Sequence, residues 1–133
     1  MENCIFCKIV KGEIPSMKIY EDSEVLAFLD IEPASLGHCL VIPKKHFESI
    51  FDIPKKELNS VMSAVQKISL KYNQEMNIDA LNLIQSNGKI AEQDVPHFHI
   101  HIVPREKNDG ISFWKNAKTR KIDAKEFYEK IKK

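Results

Sequence analysis

The sequence predicts a single α+β domain in which an antiparallel sheet carries one long helix and a short C-terminal helix. Three observations predict this class: apolar segments of strand length, connections too short for parallel crossovers, and one long stretch with helical periodicity. The chain has 133 residues, of which 43% are hydrophobic and 29% charged, enough for one core without disulfide bonds.

Three apolar segments predict strands. Val25–Leu29 is a continuous apolar run, and the Pro- and Gly-containing residues 30–37 after it predict a loop. Cys39–Ile42 predicts a second strand that Pro43 ends, and Leu81–Gln85 predicts a third.

Residues 55–76 give the clearest helix, because apolar residues recur every three or four positions. Pro54 suits the first turn and Asp52 is a candidate cap. A short helix is predicted from Asp123 to Lys132, with Phe127 and Ile131 as its apolar contacts. The stripe expected to pack in the core comprises Leu58, Val61, Met62, Val65, Ile68 and Tyr72.

The net charge of +1 argues against a protein that coats nucleic acid. Residues 115–133 hold eight basic and three acidic side chains, and we interpret this +5 segment as a solvated face rather than a nucleic-acid site. No apolar run is long enough to span a membrane, and the N-terminus does not resemble a secretory signal, so we expect a cytoplasmic protein. Only two of the 20 basic residues are Arg, so a bound phosphate would need other donors.

Between Pro96 and Pro104, histidine alternates strictly with apolar residues, which predicts a strand. His97, His99 and His101 would share one face, with Phe98, Ile100 and Ile102 on the other, towards the long helix. Three interpretations remain open from the alternation alone: structural histidines, a catalytic metal site, or a neutral imidazole nucleophile oriented by its neighbours.

This stretch resembles the signature of the histidine triad family, read here from His97 to Val103. The resemblance extends in order over residues 3–114, and its closest match is the Hint-like branch, which includes nucleoside phosphoramidases. It implies a histidine triad domain over residues 1–114 and a basic extension over residues 115–133 that packs on the same domain. The blocks that carry it are Cys4–Val10, Gly12–Pro15, Phe28–Asp30 and Gly37–His46.

The resemblance implies a hydrolase or nucleotidyl transferase that acts on purine nucleoside 5′-phosphoramidates or acyl-nucleotides. The middle histidine, His99, would attack the α-phosphorus and form a nucleotidyl-histidine intermediate. His101 would hydrogen-bond phosphate oxygens or assist the leaving group, and His97 would orient neighbouring groups through a backbone carbonyl. His38 matches a further active-site histidine of the branch.

The nucleoside site carries over from the same resemblance. Asp30 would hold the ribose hydroxyls, and the loop before the triad would supply neutral phosphate donors. Where members of the branch often have Gly-Gln-Ser, this sequence has Glu92-Gln93-Asp94. The negative charge of Asp94 would repel a nearby phosphate. The base pocket would comprise Ile5, Phe6, Phe28 and Ile31, and the loop donors would be Ser86, Asn87 and Gln93.

Three cysteines in a chain without a recognisable signal indicate reduced thiols or a metal site. Cys4 and Cys7 form a Cys-x-x-Cys pair that resembles the pair of bacterial histidine triad proteins with structural zinc. By position His46 and His97 would complete the four ligands. Free thiols are the alternative, and Cys39 is expected to be a buried apolar residue.

The resemblance also implies a homodimer formed through the long helix and an adjacent strand, with no nucleic-acid or membrane partner. Two alternative functions stay open. One is hydrolysis of dinucleoside polyphosphates, as in the fragile-histidine-triad branch. The other is a nucleotide-binding interaction module with little turnover.

Overall fold

The computed structural model of the protein describes residues 3–115 and 117–133. Five strands form one antiparallel sheet in the order β1-β2-β3-β5-β4. The elements are α1 (Ile5–Val10), β1 (Lys18–Glu21), β2 (Val25–Leu29), β3 (Cys39–Pro43), α2 (Lys55–Met76), β4 (Ala80–Ile84), a 3₁₀ turn (Lys89–Ala91), β5 (Ile100–Arg105) and α3 (Lys125–Ile131).

This architecture confirms the predicted fold class. The strand over residues 25–29 has the predicted bounds, and the strand at Cys39 extends one residue further, to Pro43. The strand predicted over Leu81–Gln85 begins and ends one residue earlier than predicted. β2 and β3 read as continuous apolar runs because both of their faces are covered. α2 and its apolar partners cover one face, and α1 covers the other.

Helix α2 has the predicted bounds and buries Val61, Val65, Ile68 and Tyr72 against the sheet. The prediction that Met62 lies in the core is wrong, because its side chain is 42% exposed. Met62 follows Val61 directly, and one residue is about 100° of rotation on a helix. The step turns Met62 away from the sheet.

The start of α2 also differs from prediction. Pro54 occupies the N-cap position, where no side chain makes a cap hydrogen bond. The carboxylate of Asp52 instead accepts hydrogen bonds from the backbone N–H groups of Glu48 and Ser49, so it closes the turn before the helix.

Strand β5 begins at Ile100, three residues later than the alternation predicted. The two faces are nevertheless as predicted. Phe98, Ile100 and Ile102 are buried in the cluster beneath α2. The imidazoles of His97 and His99 lie on the opposite face, where both contact the ring of Phe6 in α1.

Two elements had no clear signal in the sequence. Helix α1 has six residues, too few to show periodicity, and β1 is a short polar strand at a sheet edge. Both lie outside the segments assigned from the pattern.

Helix α3 forms within the predicted segment, but the predicted contacts of its apolar residues are wrong. Phe127 is 69% exposed and Ile131 is 68% exposed, and no side chain of α3 is buried. In the part of the chain that the structure describes, α3 therefore contributes no buried side chain to the core. Among the described residues, no helix combines the length and apolar character needed to cross a membrane.

Candidate active site

The histidine-rich segment lies on the α1 face of the sheet, where it enters β5. His97, His99 and His38 are all buried, with His97 completely shielded from solvent. The rings of His99 and His101 meet nearly edge to face, with centroids 4.9 Å apart. The structure thus brings together four of the predicted residues. His97 belongs to one group of side chains, His38 and His101 belong to a second, and His99 joins neither.

The first group joins the Cys-x-x-Cys pair to two histidines. The ligand atoms of Cys4, Cys7, His46 and His97 all lie within 4.8 Å of one another. Helix α1 places both sulfurs on one side, because Cys4 is its N-cap and accepts the backbone N–H of Cys7 at 3.4 Å. The predicted set of four ligands is therefore assembled in one place.

The spacing of these atoms fits a tetrahedral metal. Zinc at its usual bond lengths holds a sulfur and a nitrogen about 3.6 Å apart. Nδ1 of His97 lies 3.3 Å from Sγ of Cys4 and 3.6 Å from Sγ of Cys7. Nδ1 of His46 lies 3.3 Å from Sγ of Cys7. Two thiols and two imidazoles are also the donor set that structural zinc prefers.

The tautomer of His97 suits this role. Its Nε2–H donates to the carbonyl oxygen of Pro43 at 2.8 Å, so Nδ1 presents its lone pair to the sulfurs. Burial lowers the pKa of His97 to about 4, which keeps the ring neutral. Burial and the neighbouring Cys4 raise the pKa of the Cys7 thiol, and a bound cation would oppose that shift.

The side chain of His97 therefore faces the cysteines and not the neighbouring triad rings. Its main chain acts on His99, whose Nδ1 lies 2.7 Å from the carbonyl oxygen of His97. A carbonyl only accepts, so Nδ1 carries the proton and Nε2 keeps its lone pair. The edge-to-face contact with Phe6, at 5.2 Å between centroids, holds the ring in place.

The second group is a hydrogen-bonded chain of two imidazoles. The backbone N–H of Ala34 donates to Nδ1 of His38 at 3.0 Å, which leaves the proton of His38 on Nε2. That Nε2 lies 2.9 Å from Nδ1 of His101. Nδ1 of His101 is then an acceptor, and its own proton sits on Nε2. His101 is thus fixed as a donor.

Both rings of this chain are held neutral. Burial, followed by the neighbouring His99 and His38, lowers the pKa of His101 to about 4. Burial also lowers the pKa of His38, against the opposing charge of Asp30. Asp30 lies beside the chain, with Oδ2 3.5 Å from Nε2 of His38 and Oδ1 accepting the backbone N–H of Glu32.

This arrangement bears on the interpretation of the triad as a catalytic metal site with three histidine ligands. In the described residues, the ligand atoms of His97 group with Cys4, Cys7 and His46, and those of His101 group with Asp30 and His38. His99 joins neither group. The proton shared between His38 and His101 also occupies the lone pair through which His101 would bind a metal there.

Two of the predicted loop donors already make hydrogen bonds within the protein. The Gln93 amide accepts the backbone N–H of Gly88 and donates to the carbonyl oxygens of Glu48 and Val95. Oδ1 of Asn87 accepts the backbone N–H of Ile50 at 2.7 Å, and the Asn87 and Gln85 amides pair with each other. These groups brace the loop, whereas Ser86 is half-buried beside them.

The four residues predicted for the base pocket divide into two kinds. Phe6 and Phe28 are buried and meet edge to face at 5.6 Å, as core residues do. Ile5 is 45% exposed and Ile31 is 85% exposed. Their shared role in a base pocket stays a prediction.

Sequence reasoning included an orienting backbone carbonyl at His97 but missed two other groups that set the tautomers. The carbonyl of Pro43 and the N–H of Ala34 are main-chain groups, and the residue types at these positions do not reveal their role. It also missed how close Asp94 comes to the triad: Oδ1 lies 3.5 Å from Nε2 of His99. The departure from the family pattern at Asp94 was the feature of the sequence that could have indicated this contact.

Comparisons with known proteins agree with this geometry. The family model described as HIT domain matches residues 11–108. An uncharacterized HIT-like protein of Methanocaldococcus jannaschii is 43% identical, covering 97% of this chain and 98% of the relative. Adenosine 5′-monophosphoramidase of Saccharomyces cerevisiae is 43% identical, covering 87% of this chain and 72% of the relative. A zinc-bound histidine triad family protein of Mycobacterium smegmatis aligns with a TM-score of 0.78 at 37% identity, covering 88% and 85% of the two chains.

We predict that His101 titrates with a pKa of about 4, because burial and two neighbouring imidazoles disfavour its charge. An unfolded histidine titrates near pH ~6.5. The unfolded chain therefore binds more protons between these values. The contribution of His101 to the free energy of unfolding is complete above pH ~6.5 and is lost as the pH falls towards 4.

An NMR titration of the imidazole nitrogens measures this directly, with His101→Gln assigning the resonances. Urea unfolding of the wild-type protein and of His101→Gln at pH 7 and pH 5 measures the contribution of His101 to the free energy of unfolding. A His101 midpoint near the ordinary histidine value would contradict the proposed hydrogen-bonded chain.

Proposed function

The chain belongs to the HIT domain family, and from that premise we propose that it is a hydrolase or transferase of nucleotides that works through His99. The substrates would be purine nucleoside 5′-phosphoramidates or acyl-nucleotides, attacked at the α-phosphorus. One observation carries the proposal: the hydrogen bond from Nδ1–H of His99 to the carbonyl of His97 leaves the lone pair of Nε2 to act as the nucleophile. The named activity of the yeast relative supports the substrate class.

In the first step, the lone pair on Nε2 of His99 forms a bond to the α-phosphorus. The bond from phosphorus to the leaving group breaks and its electron pair goes to the leaving atom. An amine nitrogen takes one proton from solvent and leaves as a neutral amine, whereas a carboxylate leaves without a proton. His101 donates its Nε2–H to a phosphate oxygen, which stabilises the charge of the transition state.

In the second step, a water oxygen attacks phosphorus and the phosphorus–nitrogen bond breaks. The electron pair returns to Nε2 of His99, and the water releases one proton to solvent. His38 keeps His101 in the donating tautomer throughout, so it is a positioning residue. Two easier displacements replace one hard displacement.

We propose that Asp30 holds the ribose hydroxyls, because it is an acceptor beside the His38–His101 pair. Ile5 and Ile31 are exposed apolar side chains suited to contact the base. Ser86 is the proposed neutral phosphate donor of the loop, since Asn87 and Gln93 are committed elsewhere.

We also propose that Cys4, Cys7, His46 and His97 hold a structural zinc ion. The spacing and donor set support it, as does the zinc-bound relative. When bound, zinc would join α1 to the start of the triad segment without acting on substrate. The three cysteines are free thiols in the structure, which fits the proposed cytoplasmic location.

For the assembly, we propose a homodimer built through α2 and the edge strand β4. Leu83 of β4 is 47% exposed, and its cross-strand partner Ile102 packs beneath α2, so Leu83 lies on the helix-bearing face. Exposed Met62 extends the apolar surface of α2. The catalytic domain is proposed to be residues 1–114, with residues 115–133 as its extension.

We predict that His99→Ala lowers turnover of an adenosine 5′-phosphoramidate by at least about 10⁴-fold, because the nucleophile is gone. AMP binding by calorimetry should stay within about threefold, since His99 is not the main binding group. His99→Asn should match His99→Ala. Turnover that survives either substitution would refute the mechanism.

The same assay separates the alternative functions. Preference for a diadenosine polyphosphate would move the protein to the other enzymatic branch. Nucleotide binding without turnover of any substrate would favour an interaction module.

We predict one zinc ion per chain by elemental analysis, and loss of that zinc in Cys7→Ser. A chelator should lower the melting temperature of the wild-type protein, since metal binding is coupled to folding. Cys39→Ala is the matched control, because Cys39 lies in β3 outside the ligand group. Equal zinc content in both variants would count against the site.

We predict a sedimentation-equilibrium mass of about twice 15.4 kDa. Leu83→Lys should shift the mass towards one chain, because it places charge on the edge strand. Leu36→Lys, in a loop residue 96% exposed, should leave the mass unchanged. A single-chain mass across micromolar concentrations would contradict the dimer.

A further inference from the structure

A carboxylate lies at the mouth of the proposed site. Oδ1 of Asp94 is 3.5 Å from Nε2 of His99, the atom that must approach phosphorus. The His99 side chain is 3% exposed, whereas that of Asp94 is 77% exposed. Asp94 therefore stands between solvent and the buried nucleophile.

The position of Asp94 is fixed by its neighbour. Gln93 ties the loop to three main-chain groups, at Gly88, Glu48 and Val95, immediately before Asp94. The main chain that carries the carboxylate is thus anchored on both sides of the loop.

The charge of Asp94 is not offset within the site. In the described part of the chain, no Lys or Arg nitrogen lies within 4.0 Å of its carboxylate, and the nearby Nε2 of His99 carries a lone pair rather than a proton. His38 and His101 are held neutral, and the second charged group beside them is also a carboxylate, that of Asp30. The field at the mouth is therefore negative, although the substrate phosphate is itself an anion.

We propose that Asp94 selects the leaving group: it favours amine leaving groups that carry a positive charge and disfavours leaving groups that carry a negative charge. This inference rests on the proposed function, and it narrows the substrate class to phosphoramidates of cationic amines. A carboxylate accepts hydrogen bonds from N–H groups and repels sulfate, carboxylate or phosphate. A serine in its place would donate to those same anions.

The chemical step stays balanced with such a substrate. Nε2 of His99 bonds to phosphorus, the phosphorus–nitrogen bond breaks, and its electron pair stays on the leaving nitrogen. That nitrogen takes one proton from solvent, and the water of the second step returns one. The distant ammonium group of the amine exchanges no proton, and it contributes only its charge near Asp94.

The test uses three adenosine 5′-phosphoramidates whose leaving amines have the same chain length. Their ends are an ammonium, a neutral amide and a carboxylate. For the wild-type protein we expect kcat/KM to fall in that order, by about tenfold between the two ends, as for one charge pair near a protein surface. Asp94→Asn should reduce this ratio to about one.

Glu92→Gln is the matched control. It removes the same charge two residues away, from an exposed side chain in the same loop. It should keep the wild-type ratio. The inference would be overturned if the wild-type protein and Asp94→Asn had the same ratio of kcat/KM values. It would also be overturned if Asp94→Asn and Glu92→Gln reduced that ratio equally.

A binding measurement does not depend on turnover. Asp94→Asn should bind AMP about tenfold more tightly than the wild-type protein, because the repulsion between carboxylate and phosphate is removed. Unchanged AMP affinity would overturn the inference. Turnover that requires His99 but ignores the charge of the amine would overturn it while leaving the proposed function intact. Absence of His99-dependent turnover would instead refute the proposed function.

Discussion

The hydrogen bond between Nδ1–H of His99 and the carbonyl of His97 is the interaction on which the site depends. It joins two residues two positions apart, so it needs a particular main-chain path before β5. The side chain of His97 stabilises that path, because its ring hydrogen-bonds the carbonyl of Pro43 and contacts the cysteine group. The structural cluster and the nucleophile therefore share one short segment.

Burial provides the second constraint. Imidazoles placed side by side would repel one another if protonated, and removing them from water lowers the pKa of His97 and His101 to about 4. The rings can then lie close together as neutral donors and acceptors. Negative charge is confined to the rim, at Asp30 and Asp94. A neutral interior with an acidic rim differs from the positively charged sites that usually hold phosphate.

Much of the fold was predictable because its strongest signals are periodic. Helix α2 has 22 residues, and β2 and β3 are fully apolar, so the patterns are unambiguous. Helix α1 and strand β1 were missed because segments of six and four residues are too short to show a periodic pattern. The histidines and the four cluster ligands followed from pattern and resemblance. The tautomers did not follow, apart from the orienting carbonyl of His97, because main-chain groups set them. The prediction for Met62 was wrong because helical periodicity does not decide which of two adjacent apolar residues faces the core.

The dependence on main-chain groups bears on protein design. A main-chain N–H or carbonyl of Ala34, Pro43 or His97 sets the tautomer of each of three histidines. Any chain that follows the same backbone path has such main-chain groups at the same places. Grafting the histidines alone onto another sheet would reproduce the residue types without their protonation pattern. A scaffold that copies the trace of residues 34–43 and 97–101 would inherit that pattern, even if most neighbouring side chains were changed.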